Sequence, residues 1–294
     1  RVFINSLGIP TYEAKDLGLA PEKFKDFNYD QSIIITAQEQ SDYFKVVIKA
    51  LSLIEPTLAQ KTKHIAHGVV RLPGGKMSSR TGNIITGEWL LEEAKKRIRK
   101  AYRDMDETTA EKVAVGAIKY ALLKSGIGRD IAFSFEESIS LEGNSGPYLQ
   151  YTFARTQSVV RKSSISVMPN LFRHLERSEI LKQVQDDKNV KTEELSILRM
   201  LYKYPEVVEQ AAEKFAPNLL CNYLFDLAQK FNLFYQKVPI IKQATKSHQS
   251  SGVNVTHPRG VIGSREFRLS LTMAVGQVIR NGLRLLGIKA PGRM

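Results

Sequence analysis

Residues 74–82 read Gly74-Gly75-Lys76-Met77-Ser78-Ser79-Arg80-Thr81-Gly82. They follow an apolar run (Ile65, Ala66, Gly68, Val69, Val70) that ends at Leu72, so a loop is predicted at the carboxyl end of a β-strand over Ile65 to Leu72. A flexible, basic, hydroxyl-bearing loop in that place suits the gripping of a polyphosphate. Donors face the oxygens, and the cations balance charge that grows as a phosphate bond breaks. An ordinary solvated turn is equally rich in Gly and Ser, and composition alone leaves both readings open. Upstream, Ser32 to Ala37 (Ser-Ile-Ile-Ile-Thr-Ala) has the length and β-branching of a strand. A helix carrying Tyr43, Phe44, Val46, Val47, Ile48, Leu51 and Leu53 follows it up to Pro56. Strand, helix, strand and then a functional loop at a strand's carboxyl end is the order of a doubly wound α/β sheet.

Beyond Glu88 the pattern turns helical. Glu88 to Arg103 is strongly basic, and a second helix fits Ala110 to Lys124. Pro217 and Asn218 open a helix with Leu220, Tyr223, Leu224, Leu227, Phe231 and Phe234 on one stripe, ending at Pro239. The last helix repeats the period with Phe267, Leu271, Ala274, Val275, Val278, Leu285 and Leu286, and Gly287 offers a C-cap. From 259 to 293 the basic residues are Arg259, Arg265, Arg268, Arg280, Arg284, Lys289 and Arg293, against one acid, Glu266. They are expected on the face opposite the apolar stripe, where a phosphate backbone could lie. These apolar stripes are read as core.

The 294 residues suffice for two domains. Forty-three Lys and Arg against 30 Asp and Glu give a net charge of +13, which favours polyanions, nucleic acid before membrane surface. One cysteine, Cys221, excludes an intrachain disulfide framework and reads as a core residue in a reducing compartment. No run approaches the roughly 18 apolar residues that span a bilayer. The chain opens Arg-Val-Phe-Ile-Asn-Ser without an initiating methionine, which suggests a start within a longer protein. His64 and His67 stand three apart, but no further ligand pair accompanies them with zinc-like spacing, so no metal site is expected.

Lys76-Met77-Ser78-Ser79-Arg80 resembles the Lys-Met-Ser-Lys-Ser signature of class I aminoacyl-tRNA synthetases, with Arg80 able to supply the last cation. Four further segments are similar to arginyl-tRNA synthetases in particular. They are the stretch from Gly8 to Gly18 (Gly-Ile-Pro-Thr-Tyr-Glu-Ala-Lys-Asp-Leu-Gly), that from Ala37 to Phe44, that from Glu142 to Tyr151, and the tail from Gly282 to Met294. The resemblance implies an α/β Rossmann-like catalytic half over 1–135 and an all-α helical-bundle anticodon-binding domain over 136–294. It also marks 163–193 and 246–264 as insertions. No His-Ile-Gly-His-type motif occurs, so the chain is expected to be the carboxy-terminal half of such an enzyme and unable to form adenylate alone.

By that resemblance Tyr12, Asp16 and Gln40 bind arginine. Thr11 is placed to N-cap their helix after Pro10, and Tyr12 and Asp16, four apart, share a face. A carboxylate such as Asp16 can take a guanidinium in a bidentate fork that lysine cannot reproduce. His67, Gly68 and Val69 are expected to border the adenine of ATP, together with Lys76 and Met77. Lys76, with Ser78, Ser79 and Arg80 in support, faces the leaving pyrophosphate. Tyr148, Tyr151, Arg155 and Met294 are the candidates for the anticodon, although both tyrosines fit a helix core equally well. The implied partners are L-arginine, ATP with Mg²⁺ as substrate, and tRNA(Arg), in a cytoplasmic monomer with no membrane contact and no tightly bound cofactor. A stand-alone tRNA-binding or regulatory module is the alternative from another class.

Overall fold

A computed structural model describes residues 1–71, 86–163, 190–241 and 265–294. Its described residues form two compact units, one of residues 1–71 with 126–132 and one holding the rest. The signature loop and the 246–264 insertion lie outside the described residues, as does 164–189 of the insertion expected at 163–193.

The first unit is mixed α/β with parallel strands. Helix α1 (Tyr12–Phe27) stops at Asn28, whose left-handed backbone (φ 41°) lets its N–H reach Phe24 O at 2.8 Å. Strand β1 (Ser32–Ala37) passes through a 3₁₀ turn (Gln38–Gln40) into α2 (Ser41–Ile54). Pro56 then starts a separate short helix, α3 (Pro56–Lys61), at a position where its missing N–H is harmless. Strand β2 (Thr62–His67) lies parallel to β1, in register from Ser32–Thr62 to Ala37–His67. The carboxyl ends of both strands therefore fall on one edge.

The single strand expected over Ile65 to Leu72 is interrupted. β2 ends at His67, and β3 (Val70–Arg71) pairs in parallel with β4 (Ile131–Ala132) instead. Gly68 explains the break. A Cβ there would sit 2.1 Å from the carbonyl oxygen of Arg129, so only glycine lets the 126–130 turn pass so closely.

The second unit is helical: α4 (Gly87–Ala101), α5 (Glu107–Leu123), α6 (Phe135–Ile139), α7 (Gly146–Lys162), α8 (Thr192–Glu213), α9 (Pro217–Lys237) and α10 (Arg265–Leu285). Its core forms where the stripes of α7, α8, α9 and α10 meet, with Leu149, Ile197, Leu224, Phe231, Leu271 and Ile279 fully enclosed. Cys221 is in that core, and burial pushes its thiol up to about 12. Helices α5 and α7 cross at a glycine contact: a Cβ on Gly146 would lie 2.3 Å from Gly116 O. Gly287 adopts φ +68° and donates to Arg284 O, while Ile288 donates to Leu283 O, which closes α10 as expected.

Two expectations for α10 need correction. Leu285 points outward, 60% exposed, while Ile279 and Leu283 complete the buried stripe. The basic residues also do not share one outer face. Arg268 turns inward to the fully buried Glu194, Nε to Oε1 at 2.7 Å, and donates to Pro239 O as well. Arg265 donates to Ser163 O at 3.0 Å. Arg280, Arg284, Lys289 and Arg293 remain exposed, and Arg259 lies outside the described residues.

Candidate functional site

In the α/β unit the candidate site lies at the carboxyl edge of β1 and β2. Gln40 closes the turn after β1, exposed, and His67 ends β2 opposite Ala37. On the first turn of α2, Tyr43 donates its hydroxyl to Asp16 Oδ2 at 2.6 Å, which joins α2 to α1 and fixes the carboxylate. Burial and then the Asp16 bond raise the Tyr43 phenol well above its ordinary value, so the hydroxyl stays a donor. The Tyr43 ring also carries the Arg1 guanidinium 5.4 Å from its centroid, and Arg1 pairs with Glu13 at 3.6 Å. Tyr12, four residues before Asp16, is 79% exposed, with the Lys15 ammonium 5.7 Å from its ring centre.

Thr11 occupies the N-cap position without capping through its side chain. Its hydroxyl donates to Val2 O at 2.7 Å and Phe3 O at 3.1 Å, tying the chain start to the head of α1. Asn5 orders the turn between them, its Oδ1 accepting from the N–H groups of Leu7 and Ile9.

Gly68 is buried, while His67 and Val69 are exposed. The Val69 N–H is engaged by Asp130 Oδ1 at 2.9 Å, and its carbonyl accepts from Ile131 N–H at 2.9 Å. Any main-chain donor to a bound base at this edge must therefore come from another residue of the segment. Asp130 also holds Arg71 through Nε at 3.0 Å and Nη2 at 2.7 Å. The Val69 N–H first and the Arg71 side chain next keep the Asp130 carboxyl below its usual range. His64 is a packing residue. Its Nε2 shares a hydrogen bond of 2.7 Å with Thr36 Oγ1, its ring stacks on Phe44 at 4.5 Å, and burial lowers its pKa. Among the described residues no group of three or more His, Cys, Asp or Glu could hold a metal. Lys76, Met77, Ser78, Ser79 and Arg80 lie outside the described residues.

The helical unit presents a second site. Ser145 caps α7 by accepting from Tyr148 N–H at 3.1 Å, and the turns that follow align Tyr148, Tyr151 and Arg155. Tyr151, Arg155 and Met294 line a cavity of about 380 Å³ together with Tyr235, Lys162 and Arg293. The Arg155 guanidinium packs on the rings of Tyr151 (4.7 Å) and Tyr235 (5.1 Å) and donates to Asn232 Oδ1 at 2.6 Å. Asn232 in turn donates to Tyr148 Oη at 2.9 Å and Thr152 Oγ1 at 3.1 Å. The two tyrosines thus differ. Tyr148 leans on Phe225 and braces the network from behind, whereas Tyr151 opens onto the cavity. A flat cation between aromatic faces at a basic rim is suited to an unstacked nucleotide base.

The model for "tRNA synthetases class I (R), catalytic domain" matches residues 1–135, and that for "DALR anticodon binding domain" matches residues 149–294. Over 300 residues the chain is 36% identical to an arginine–tRNA ligase of Ignicoccus hospitalis, using all of this chain and 43% of that protein. It is 30% identical to the arginine–tRNA ligase of Flavobacterium psychrophilum, covering 46% of it. The solved structure of Thermus thermophilus arginyl-tRNA synthetase superposes on the whole chain with a TM-score of 0.76 at 29% identity, over 51% of that chain. This chain belongs to the arginyl-tRNA synthetase family. It holds part of that family's catalytic domain followed by its helical anticodon-binding domain, and spans about half the length of the relatives it matches.

Within this arginyl-tRNA synthetase portion, three contributors escaped sequence reading. Tyr43 reads as one more apolar residue of α2, although it stands three after Gln40 and shares its side of the helix start. Asn232 interrupts the apolar run of α9, and an amide at such a place signals a buried network. Tyr235 falls off the core stripe and is 43% exposed, which marks it as a surface aromatic.

Proposed function

We propose that the complete protein to which this chain belongs activates L-arginine with ATP and transfers it to tRNA(Arg). The observation that carries this reading is the Asp16 carboxylate, held by Tyr43 at 2.6 Å beside the carboxyl ends of two parallel strands. A carboxylate oriented by one strong donor at Oδ2 keeps Oδ1 and a second lone pair on Oδ2, enough acceptors for the bidentate grip that separates arginine from lysine. Tyr12 stacks on or hydrogen-bonds the substrate, Gln40 adds a polar contact, and His67 and Gly68 with Val69 border the adenine.

The substrate carboxylate oxygen attacks the α-phosphorus of ATP, which enters with Mg²⁺. The bond to the β-phosphate oxygen breaks, and pyrophosphate leaves with the electron pair. A hydroxyl of the 3′-terminal ribose of tRNA then attacks the adenylate carbonyl, expelling AMP. No covalent bond to the protein is needed, so positioning and charge stabilisation carry the catalysis. Lys76 meets the growing charge on pyrophosphate, with Ser78, Ser79, Arg80 and Met77 completing the loop. The Tyr151–Arg155–Met294 cavity receives an anticodon base. A reducing, cytoplasmic setting fits the buried thiol of Cys221, and the complete protein is taken to act as a monomer.

Arginine-dependent ATP–pyrophosphate exchange, with tRNA(Arg) present, tests the reading on this chain alone and on the chain joined to the rest of its catalytic domain. Exchange in the joined protein, with none in the chain alone, is expected. Absence of exchange in both, together with salt-sensitive tRNA binding by the chain, would replace the enzyme by an RNA-binding module.

A further inference from the structure

A second basic cavity, of about 560 Å³, opens elsewhere on the helical unit. Lys112 reaches it from α5, Arg280 and Arg284 from successive turns of α10, and Lys289 from the tail, with Gln277 and Asn281 between them. None of its lining residues is acidic. Arg280, Arg284 and Lys289 make no ion pair among the described residues, whereas Arg268 of the same helix is neutralised by Glu194, and Arg97 of α4 by Glu93 and Glu136. Two arginines four apart on one helix repel each other, so this arrangement disfavours folding slightly and is relieved by an anion.

The walls are built to hold their spacing. Gln150, fully buried, donates through Nε2 to Lys112 O at 3.0 Å and Lys289 O at 2.7 Å, which ties the backbones of both basic walls together. Gly116 admits that amide, since a Cβ there would lie 2.7 Å from it. Lys119 fixes the tail just before, donating to Gly287 O at 2.6 Å. A solvated charge cluster has no need of a buried amide pinning its supports. The backbones that carry Lys112 and Lys289 are thus held at a fixed spacing, and cations gathered on such walls suit a phosphate chain.

The tail is a shared wall. Ala290 lines this cavity and Arg293 lines the Tyr151–Arg155 cavity. Three residues separate their backbones by at most about 11 Å. We propose that the Lys112–Arg280–Arg284–Lys289 cavity binds phosphates of the RNA strand whose base enters the Tyr151–Arg155 cavity. This rests on the tRNA reading above and adds the surface that grips the backbone.

The test is the salt dependence of tRNA(Arg) binding by the full chain and by its Arg280→Gln/Arg284→Gln double variant, whose exposed positions leave the core untouched, as a thermal melt checks. Each lost phosphate contact lowers the slope of log Kd against log salt by about 0.7 to 0.9. The variant is therefore expected to lose a slope of roughly 1.5, to bind about tenfold or more weakly at low salt, and to keep its preference for the cognate anticodon. Tyr151→Ala should do the reverse, erasing that preference while keeping the slope. An unchanged slope in a double variant whose parent binds tRNA would overturn the proposal and leave the tRNA reading standing. A parent chain that binds no tRNA would defeat the tRNA reading itself. Tripolyphosphate is the second probe: if it binds the cavity without displacing tRNA, the site serves a small polyanion and the RNA assignment is wrong.

Discussion

Leu224, Leu227, Phe231 and Phe234 of α9 expose no surface, while Ile33 and Ile35 of β1 are 43% and 65% exposed and Leu7 is 80% exposed. All seven side chains are large and apolar, so residue type alone does not set them apart. The helical unit folds its stripes against one another and engages even its buried charge, Glu194, with Arg268 and the Lys191 N–H. In the α/β unit, the described residues give β1 one neighbour, β2. Parallel strands are ordinarily covered on both faces, and clustered exposed apolar side chains mark a surface that another element covers. A stripe tells which residues seek burial. It does not tell whether the covering element lies in the same stretch of chain.

The sharpest way to break this contrast is to damage each unit in turn. Glu194→Ala strands Arg268, 15% exposed, without its carboxylate and removes the acceptor of the Lys191 N–H, so the helical unit should lose about 3–5 kcal/mol. Ile35→Thr in the α/β unit should stay within about 0.5 kcal/mol in this chain. Chemical denaturation followed by tyrosine fluorescence and circular dichroism reads both. Equal losses would mean that the units are closed to the same degree. Next in size is Lys76→Ala in the complete protein. It should lower the rate of arginine activation roughly 100- to 1,000-fold while leaving the KM for arginine near its original value. Parallel changes in both constants would remove Lys76 from the pyrophosphate site.

What could be read in advance divides along the same line. The stripe of α9, the strand Ser32–Ala37 and the Gly287 cap were legible because each depends on residues within one or two turns of chain. The break at Gly68 was not, since its cause is a carbonyl at Arg129, far along the chain. Nor was the inward turn of Arg268, because its partner Glu194 belongs to another helix and a charge in a sequence carries no direction. Asp16 could be singled out by resemblance, but the hydroxyl that orients it, Tyr43, lies 27 residues on. Local periodicity names elements. Sites assembled from several elements need the packing.

Tyr43→Phe sharpens the comparison at a smaller scale. It removes one hydrogen bond to a carboxylate and keeps the ring, so arginine should bind the complete protein with about 1.5–3 kcal/mol less free energy. Affinity for tRNA, which the proposed function assigns to the helical unit, should not change. If tRNA binding falls along with arginine binding, the two sites do not act independently.

The smallest expected effect concerns Asp130, whose bonds to Val69 and Arg71 hold the stem that leads toward the signature loop. Its folded-state pKa is depressed, chiefly by the Val69 N–H and then by Arg71. Between that lowered value and the unfolded value of about 3.9, the unfolded chain binds more protons, so stability must rise with pH there. The contribution is therefore complete above the unfolded value and disappears as pH falls through the folded one. Asp130→Asn cannot titrate and should show a shallower slope of stability against pH below about 4 than the parent chain, with no change in slope near neutrality. The pair is half exposed, so added salt should weaken the Arg71 part and leave the Val69 bond. A variant that keeps the parent's acid slope would show that the stem is held by β3–β4 pairing alone, and the α/β unit would then be less dependent on its charges than the helical unit is on Glu194.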